Sequence, residues 1–141
     1  NLLYGVPLSV WYDWKNDGTQ PGNFEHNCGT VTYDLEPKLA YIAIKTLNDQ
    51  LNGFTLLKRI ELNNENDFAL IFRDENGKTK IAAWTTEDPH TVILEYGLPE
   101  AGRSIAVDWM GNELKIKTDG DKMVIDLSEY PQYISVPAGW N

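Results

Sequence analysis

Several short stretches of this chain place reactive side chains side by side. Glu25-His26 sets a carboxylate next to an imidazole, a pairing that serves as a tuned base or a hydrogen-bond clamp. Neighbouring residues on a strand or loop point apart, so a structural or cleft-lining role is expected before catalysis. Glu87-Asp88-Pro89-His90 offers oxygen and nitrogen donors, yet its spacing matches no recognised metal site and a turn accounts for the acids and the proline. No metal and no cofactor is assigned. Asp119-Gly120-Asp121 reads as a hairpin tip, because a calcium loop needs a longer run of ligands ending in Glu. Cys28, the single cysteine, has no basic cluster beside it and is expected to be an inert thiol. The composition's positive hint is aromatic: five Trp and seven Tyr, the ring types that stack on sugars and also fill cores.

Charge narrows the partners. Twelve Lys and Arg against 21 Asp and Glu give a formal net charge of −9 among 141 residues, the wrong sign for gathering phosphates. Nucleic acid and anionic membrane are therefore poor partners. No apolar stretch approaches the roughly 20 residues that cross a bilayer, and no charged-then-apolar leader precedes Val6, so the chain is expected to be soluble. With one cysteine no intrachain disulfide forms, and a disulfide scaffold is excluded. At 42% hydrophobic residues the chain can bury a core without staples.

The elements that position these residues change character near Gly53. From Val6 to Tyr12 the chain is apolar on both alternating faces apart from Ser9, the pattern of a strand covered on both sides. Residues 14–29 form a long loop by composition, with Asp17-Gly18 and Pro21-Gly22 as turn signals. A helix over about 37–51 follows: Pro37 suits the first helical position, and Ala40, Ala43, Ile44, Leu47 and Leu51 make one apolar stripe. Asn52-Gly53 supplies its left-handed stop. Strands are predicted near 54–62, 67–73, 78–86, 91–96, 104–109, 113–118, 122–127 and 132–136, with Asn76-Gly77 and Asp119-Gly120 as hairpin turns. The fold class is mainly β: an antiparallel β-sandwich over 54–141, preceded by one strand-loop-helix (β/α) unit over 1–53 that packs on it.

The first fifty residues pose a problem. A doubly covered strand needs hydrogen-bonding neighbours that the later antiparallel segments do not obviously supply. Each buried unpaired backbone group costs about 1–3 kcal/mol, and each exposed large apolar side chain forgoes roughly 1.5–3 kcal/mol of burial. Either this strand joins the sandwich, or it was once continuous with more protein upstream.

The residues that carry a resemblance are Leu8-Ser-Val-Trp-Tyr-Asp-Trp-Lys-Asn-Asp-Gly18, then Glu25-His26 and Gly29, then Pro37-Lys38-x-Ala40-Tyr41. This string resembles the last β/α unit of clan A glycoside hydrolases, most like family 39. Val107-Asp108-x-x-Gly111, Asp119-Gly120 and Leu127-Ser-x-x-Pro131-x-Tyr133-Ile134 resemble the closing strands of the C-terminal β-sandwich that such (β/α)8 barrels often carry. The resemblance implies that both catalytic carboxylates lie upstream of Asn1, so this chain alone is expected not to cleave anything. Retaining hydrolysis needs two carboxyl groups about 5–5.5 Å apart, and the acids here give no evident pair. The resemblance also implies a cleft rim at the end of the first strand, with Trp11 or Trp14 stacking on a sugar ring and Asp17, Glu25 and His26 nearby. Solvated loop acids are the simpler state of Asp13 and Asp17.

On the sandwich, Trp84, Tyr130, Tyr133 and Trp140 are candidates for an aromatic platform, or for a seal against a barrel, while Trp109 reads as core. The expected function is thus a non-catalytic C-terminal β-sandwich segment of a polysaccharide- or glycoside-degrading hydrolase. It would brace the upstream catalytic barrel, contact carbohydrate and, by resemblance, act outside the cytoplasm. Two alternatives stand beside it: a free-standing carbohydrate-binding module, and a protein-interaction domain that recruits its partner by strand addition.

Overall fold

The computed structural model describes residues 1–95 and 104–137. It is mainly β, with the strands arranged as two antiparallel sheets around a common core. In chain order they are β1 (Thr55–Arg59), β2 (Asp67–Arg73), β3 (Thr79–Thr85), β4 (His90–Leu94), β5 (Ile105–Val107), β6 (Glu113–Leu114), β7 (Lys117–Asp119), β8 (Lys122–Leu127) and β9 (Gln132–Val136). A six-stranded sheet runs β1-β2-β3-β9-β5-β6 and a three-stranded sheet runs β4-β8-β7. Gly77 takes positive φ in the three-residue loop Glu75–Gly77 between β2 and β3, and Gly120 in the two-residue β7-β8 turn.

The period-2 pattern decides which side chains meet. Ala69, Ile71, Ile81, Ala83, Ile134 and Ala106 point from the larger sheet toward Leu94, Met123, Ile125 and Leu127 of the smaller, and all are buried. One predicted strand, 113–118, divides. Its first half pairs with β5 in the large sheet and its second half with β8 in the small one, so the chain changes sheets at Lys115-Ile116 while Ile116 packs on the core. A sequence pattern reports alternation, and alternation does not say which neighbour supplies the hydrogen bonds.

The other residues of β2, β3, β5 and β9 face outward, and there a second cluster forms. Leu70, Phe72, Ala82 and Tyr133 are covered by Leu3, Leu51, Phe54 and Leu56. The helix that contributes Leu51, α1 (Leu39–Leu51), is thereby fixed to the large sheet. Gln50 accepts a 2.7 Å bond from Lys80 Nζ, whose pKa burial pushes below the usual lysine range. Thr46, buried in mid-helix, sits against Gly111 of the β5-β6 turn. That turn is built by Asp108, which accepts from the backbone of Met110 and Asn112 and from the Asn112 amide. The helix begins two residues later than its sequence signal, with Lys38 in the capping position and Pro37 ahead of it. Ahead of the helix Leu35, in the turn between Thr32 and Glu36, takes φ 69°.

The opening run departs from expectation. Residues 6–12 form no strand; a single 3-10 turn, Leu2–Tyr4, precedes an extended segment whose side chains face outward. Leu8 is 72% exposed and Val10 84%. A strand exists only where a neighbour completes its ladder, and among the described residues that neighbour begins at Cys28, opposite Asp13. No described helix is long and apolar enough to cross a membrane.

Candidate functional site

Where backbone pairing does begin, it is tight. Asp13 N–H donates to the Cys28 carbonyl, Thr30 N–H to Asp13, Asn16 N–H to Val31 and Val31 N–H to Trp14. Lys15 and Val31 form a parallel bridge. Gly29 is needed here because a Cβ at that position would lie 2.2 Å from the Asn16 nitrogen. The buried Asn16 side chain then accepts from Gly29 N–H and from Lys38 Nζ, each at 3.1 Å, which ties the loop to the start of α1. Lys38 also donates to the Asn27 carbonyl at 2.8 Å. Asn27 in turn satisfies the carbonyls of Gln20 and Asn23. A loop that looked irregular in sequence is thus internally cross-linked.

This ladder and α1 enclose an open cleft of about 360 Å³. Trp11, Asp13, Trp14 and Thr30 line one wall; Tyr41, Ile44, Lys45, Asn48 and Asp49 line the other. The second set falls at helical spacing, so it forms one face of α1. Trp11 is oriented by its indole N–H, which donates to the Cys28 carbonyl at 3.2 Å. Lys45 and Asp49 pair with each other, and the pairing holds the lysine above its usual pKa. Flat rings beside amide, carboxylate and ammonium groups can stack on an apolar ring face while hydrogen-bonding its rim hydroxyls.

The five residues expected at a cleft rim therefore separate. Trp11 and Trp14 share the cleft; Asp17, Glu25 and His26 are not in its walls. Asp17 and Glu25 act instead on the Tyr12 hydroxyl, whose pKa is raised first by the charge of Asp17 and then by that of Glu25. Glu25 opens a short 3-10 turn, Glu25–Asn27. His26 packs against Gly18, where a Cβ would meet the ring at 2.4 Å, and its Nδ1 is buried without a hydrogen bond. Cys28 is half-buried, with its sulfur 3.4 Å from the Phe24 carbonyl. From sequence alone no helix residue is expected in the cleft, because Ile44 and Leu47 belong to the apolar stripe of a helix expected to pack on the sandwich. Ile44 and Leu47 are in fact exposed, and the polar set Lys45, Asn48 and Asp49 at the same spacing was the available signal.

Of the sandwich aromatics, Trp84, Tyr130 and Tyr133 lie in three different settings. Trp84 stacks on Phe68 across β3 and β2, centroids 4.8 Å apart and planes 3° apart, and the Arg59 guanidinium lies 4.2 Å from the Phe68 ring. Cation, ring and ring form a cross-strand pile, which occupies one face of the Trp84 ring. Trp109, read as core, is instead half-buried and stacks on the exposed Tyr130 at 4.8 Å. Tyr133 is a correction: it is 3% exposed, lies under the second cluster and has its hydroxyl pKa pushed up to about 12 by burial. Trp140 lies outside the described residues. Among the described residues no group of three His, Cys, Asp or Glu is placed to hold a metal ion.

No protein-family model matches the chain, and no curated protein matches it significantly. Nine chains of solved structures are similar, two of them informative here. A family 39 glycoside hydrolase from the gut symbiont Bacteroides cellulosilyticus WH2 superposes with a TM-score of 0.79 at 30% identity, over 90% of this chain and 26% of that one. The catalytic domain of GH30 xylanase C from Talaromyces cellulolyticus superposes with a TM-score of 0.60 at 12% identity, over 79% of this chain and 28% of that one, a likeness of fold. The chain thus spans about a quarter of the length of each structure it resembles, and in fold and sequence it is like part of a family 39 glycoside hydrolase.

Proposed function

We propose that this family 39-like chain is a non-catalytic segment of a polysaccharide- or glycoside-degrading enzyme, in which residues 1–53 dock on a catalytic barrel and the sandwich braces it. One observation carries the reading. The sandwich completes its own core, whereas Leu8, Val10, Trp11, Tyr12 and Trp14 stand exposed, as do Tyr41, Ile44 and Leu47 of α1, and Trp11 and Trp14 share a cleft with Tyr41 and Ile44. Monomeric domains rarely leave so many neighbouring large apolar side chains in water, and a partner that paired residues 6–12 would satisfy both their backbone and their side chains. Action outside the cytoplasm goes with that reading. The test is to read the coding region upstream of Asn1 and express it joined to this chain. The expected result is a barrel with two carboxylates at its strand ends, and slowed amide exchange at residues 8–12. Another kind of domain there, or unchanged exchange, overturns the proposal.

A second reading adds carbohydrate contact by the cleft of Trp11 and Trp14. It is favoured because two indoles and the polar groups of Asp13, Asn48 and Asp49 line the same hollow. Affinity electrophoresis on soluble β-glucan and xylan would show retardation lost in Trp11→Ala or Trp14→Ala and kept in Trp84→Ala. Loss in Trp84→Ala alone would favour a module that binds through its sandwich, and absence of retardation in every variant removes the reading.

A further inference from the structure

At one end of the sandwich the two sheets are joined by a side-chain bridge. His90 opens β4 in the small sheet and Asp67 opens β2 in the large one; His90 Nε2 lies 3.0 Å from Asp67 Oδ2. The other ring nitrogen, Nδ1, lies 2.8 Å from the Asp88 carbonyl. A carbonyl oxygen only accepts, and so does an ionised carboxylate, so both ring nitrogens must carry protons for both contacts to be hydrogen bonds. A neutral imidazole has one N–H and leaves the other nitrogen's lone pair against an oxygen. Asp67 is 2% exposed and, among the described residues, its Oδ1 has no hydrogen-bond partner, so the His90 imidazole faces a carboxylate cut off from water.

We propose that His90 and Asp67 form a pH-sensitive clasp between the two sheets, closed when His90 is an imidazolium and loosened when it loses a proton. The surrounding charges fit a closed clasp near neutrality. Glu87 and Asp88 flank the ring on its own turn, and Glu129 lines the same open hollow ahead of β9. From β1 the Arg59 guanidinium donates to the Asp67 carbonyl at 2.9 Å, which leaves the Asp67 side chain to the imidazole. Glu87 accepts from the amides of Asn64 and Asn66, at 2.8 and 2.6 Å, so the loop before β2 is tied to the same turn. The pKa of His90 is raised, first by the bond to the Asp88 carbonyl and then by that to Asp67, with burial opposing. The sign follows: a folded pKa above the unfolded value of about 6.5 stabilises fully below that value and is lost as pH rises through the folded pKa.

The test uses the 141-residue chain. Imidazole nitrogen chemical shifts followed against pH, with His90→Gln to separate its signals from those of His26, should show both His90 nitrogens protonated at pH 6.5 and a midpoint above that pH. The urea midpoint of the wild type should fall from pH 6.5 upward, and that of His90→Gln should lack this fall. Asp67→Asn should lower the His90 midpoint. A His90 nitrogen without a proton at pH 6.5, a midpoint at or below 6.5, or the same fall in His90→Gln would overturn the proposal. Where His90→Gln fails to fold, His26→Gln makes the same assignment and the wild-type titration decides.

Discussion

Val6 to Tyr12 and Ala69 to Phe72 are both dense apolar runs, and they end in opposite environments. In β2 every residue from Ala69 to Phe72 is buried, because β1 and β3 complete its ladder on both sides while one sheet face meets the core and the other meets α1 and Leu3. In the opening segment no described residue supplies a ladder before Asp13, and Leu8 and Val10 are exposed. The lesson is that hydrophobicity creates a demand for burial and backbone pairing, while the available neighbours decide whether it is met.

Three substitutions would break or sharpen that contrast. The largest effect belongs to Ile134→Ala: Ile134 is 0% exposed between Ile81 and Ala106, so its truncation should cost about 2–5 kcal/mol in urea unfolding. A loss under 1 kcal/mol would mean that the two runs differ less than their burial implies. Gly29→Ala comes next, because the new methyl must displace the backbone of Lys15 and Asn16; a cost of about 1–3 kcal/mol is expected, with altered near-ultraviolet dichroism from Trp11 and Trp14. An unaltered spectrum would show that the ladder at 13–16 does not hold the cleft wall. The smallest is Leu8→Ser, expected to change stability by less than about 0.5 kcal/mol in this chain. In a polypeptide that carries the proposed barrel, the same change should cost roughly 1.5–3 kcal/mol as that surface becomes buried. Equal small effects in both settings would remove the docking surface.

Much of the fold was legible because its signals are local. Asn76-Gly77 and Asp119-Gly120 mark their hairpins, the strands at 67–73, 122–127 and 132–136 match the observed spans, and Asn52-Gly53 ends the helix. The candidate site was legible in part. Trp11 and Trp14 share a cleft wall, but the opposite wall comes from an α1 face whose Ile44 belongs to a stripe expected to pack on the sandwich. Trp84 and Tyr130 are visible as aromatics, yet nothing in the spacing along one strand reveals that Phe68 and Trp109 stack on them. His90 and Asp67 are 23 residues apart and belong to different sheets, so their meeting has no sequence signature.

Alternation, turn residues and helical periodicity act within a few residues of one another, and those the amino-acid order determined: an antiparallel β-rich chain with one helix before it. Tertiary structure alone decided that 113–118 splits between sheets, that Tyr133 lies beneath a helix end, and that the opening apolar run lies in water. Each of those outcomes depends on which distant segment supplies a hydrogen-bond ladder or a covering surface, and long-range supply is set only when the whole chain has packed.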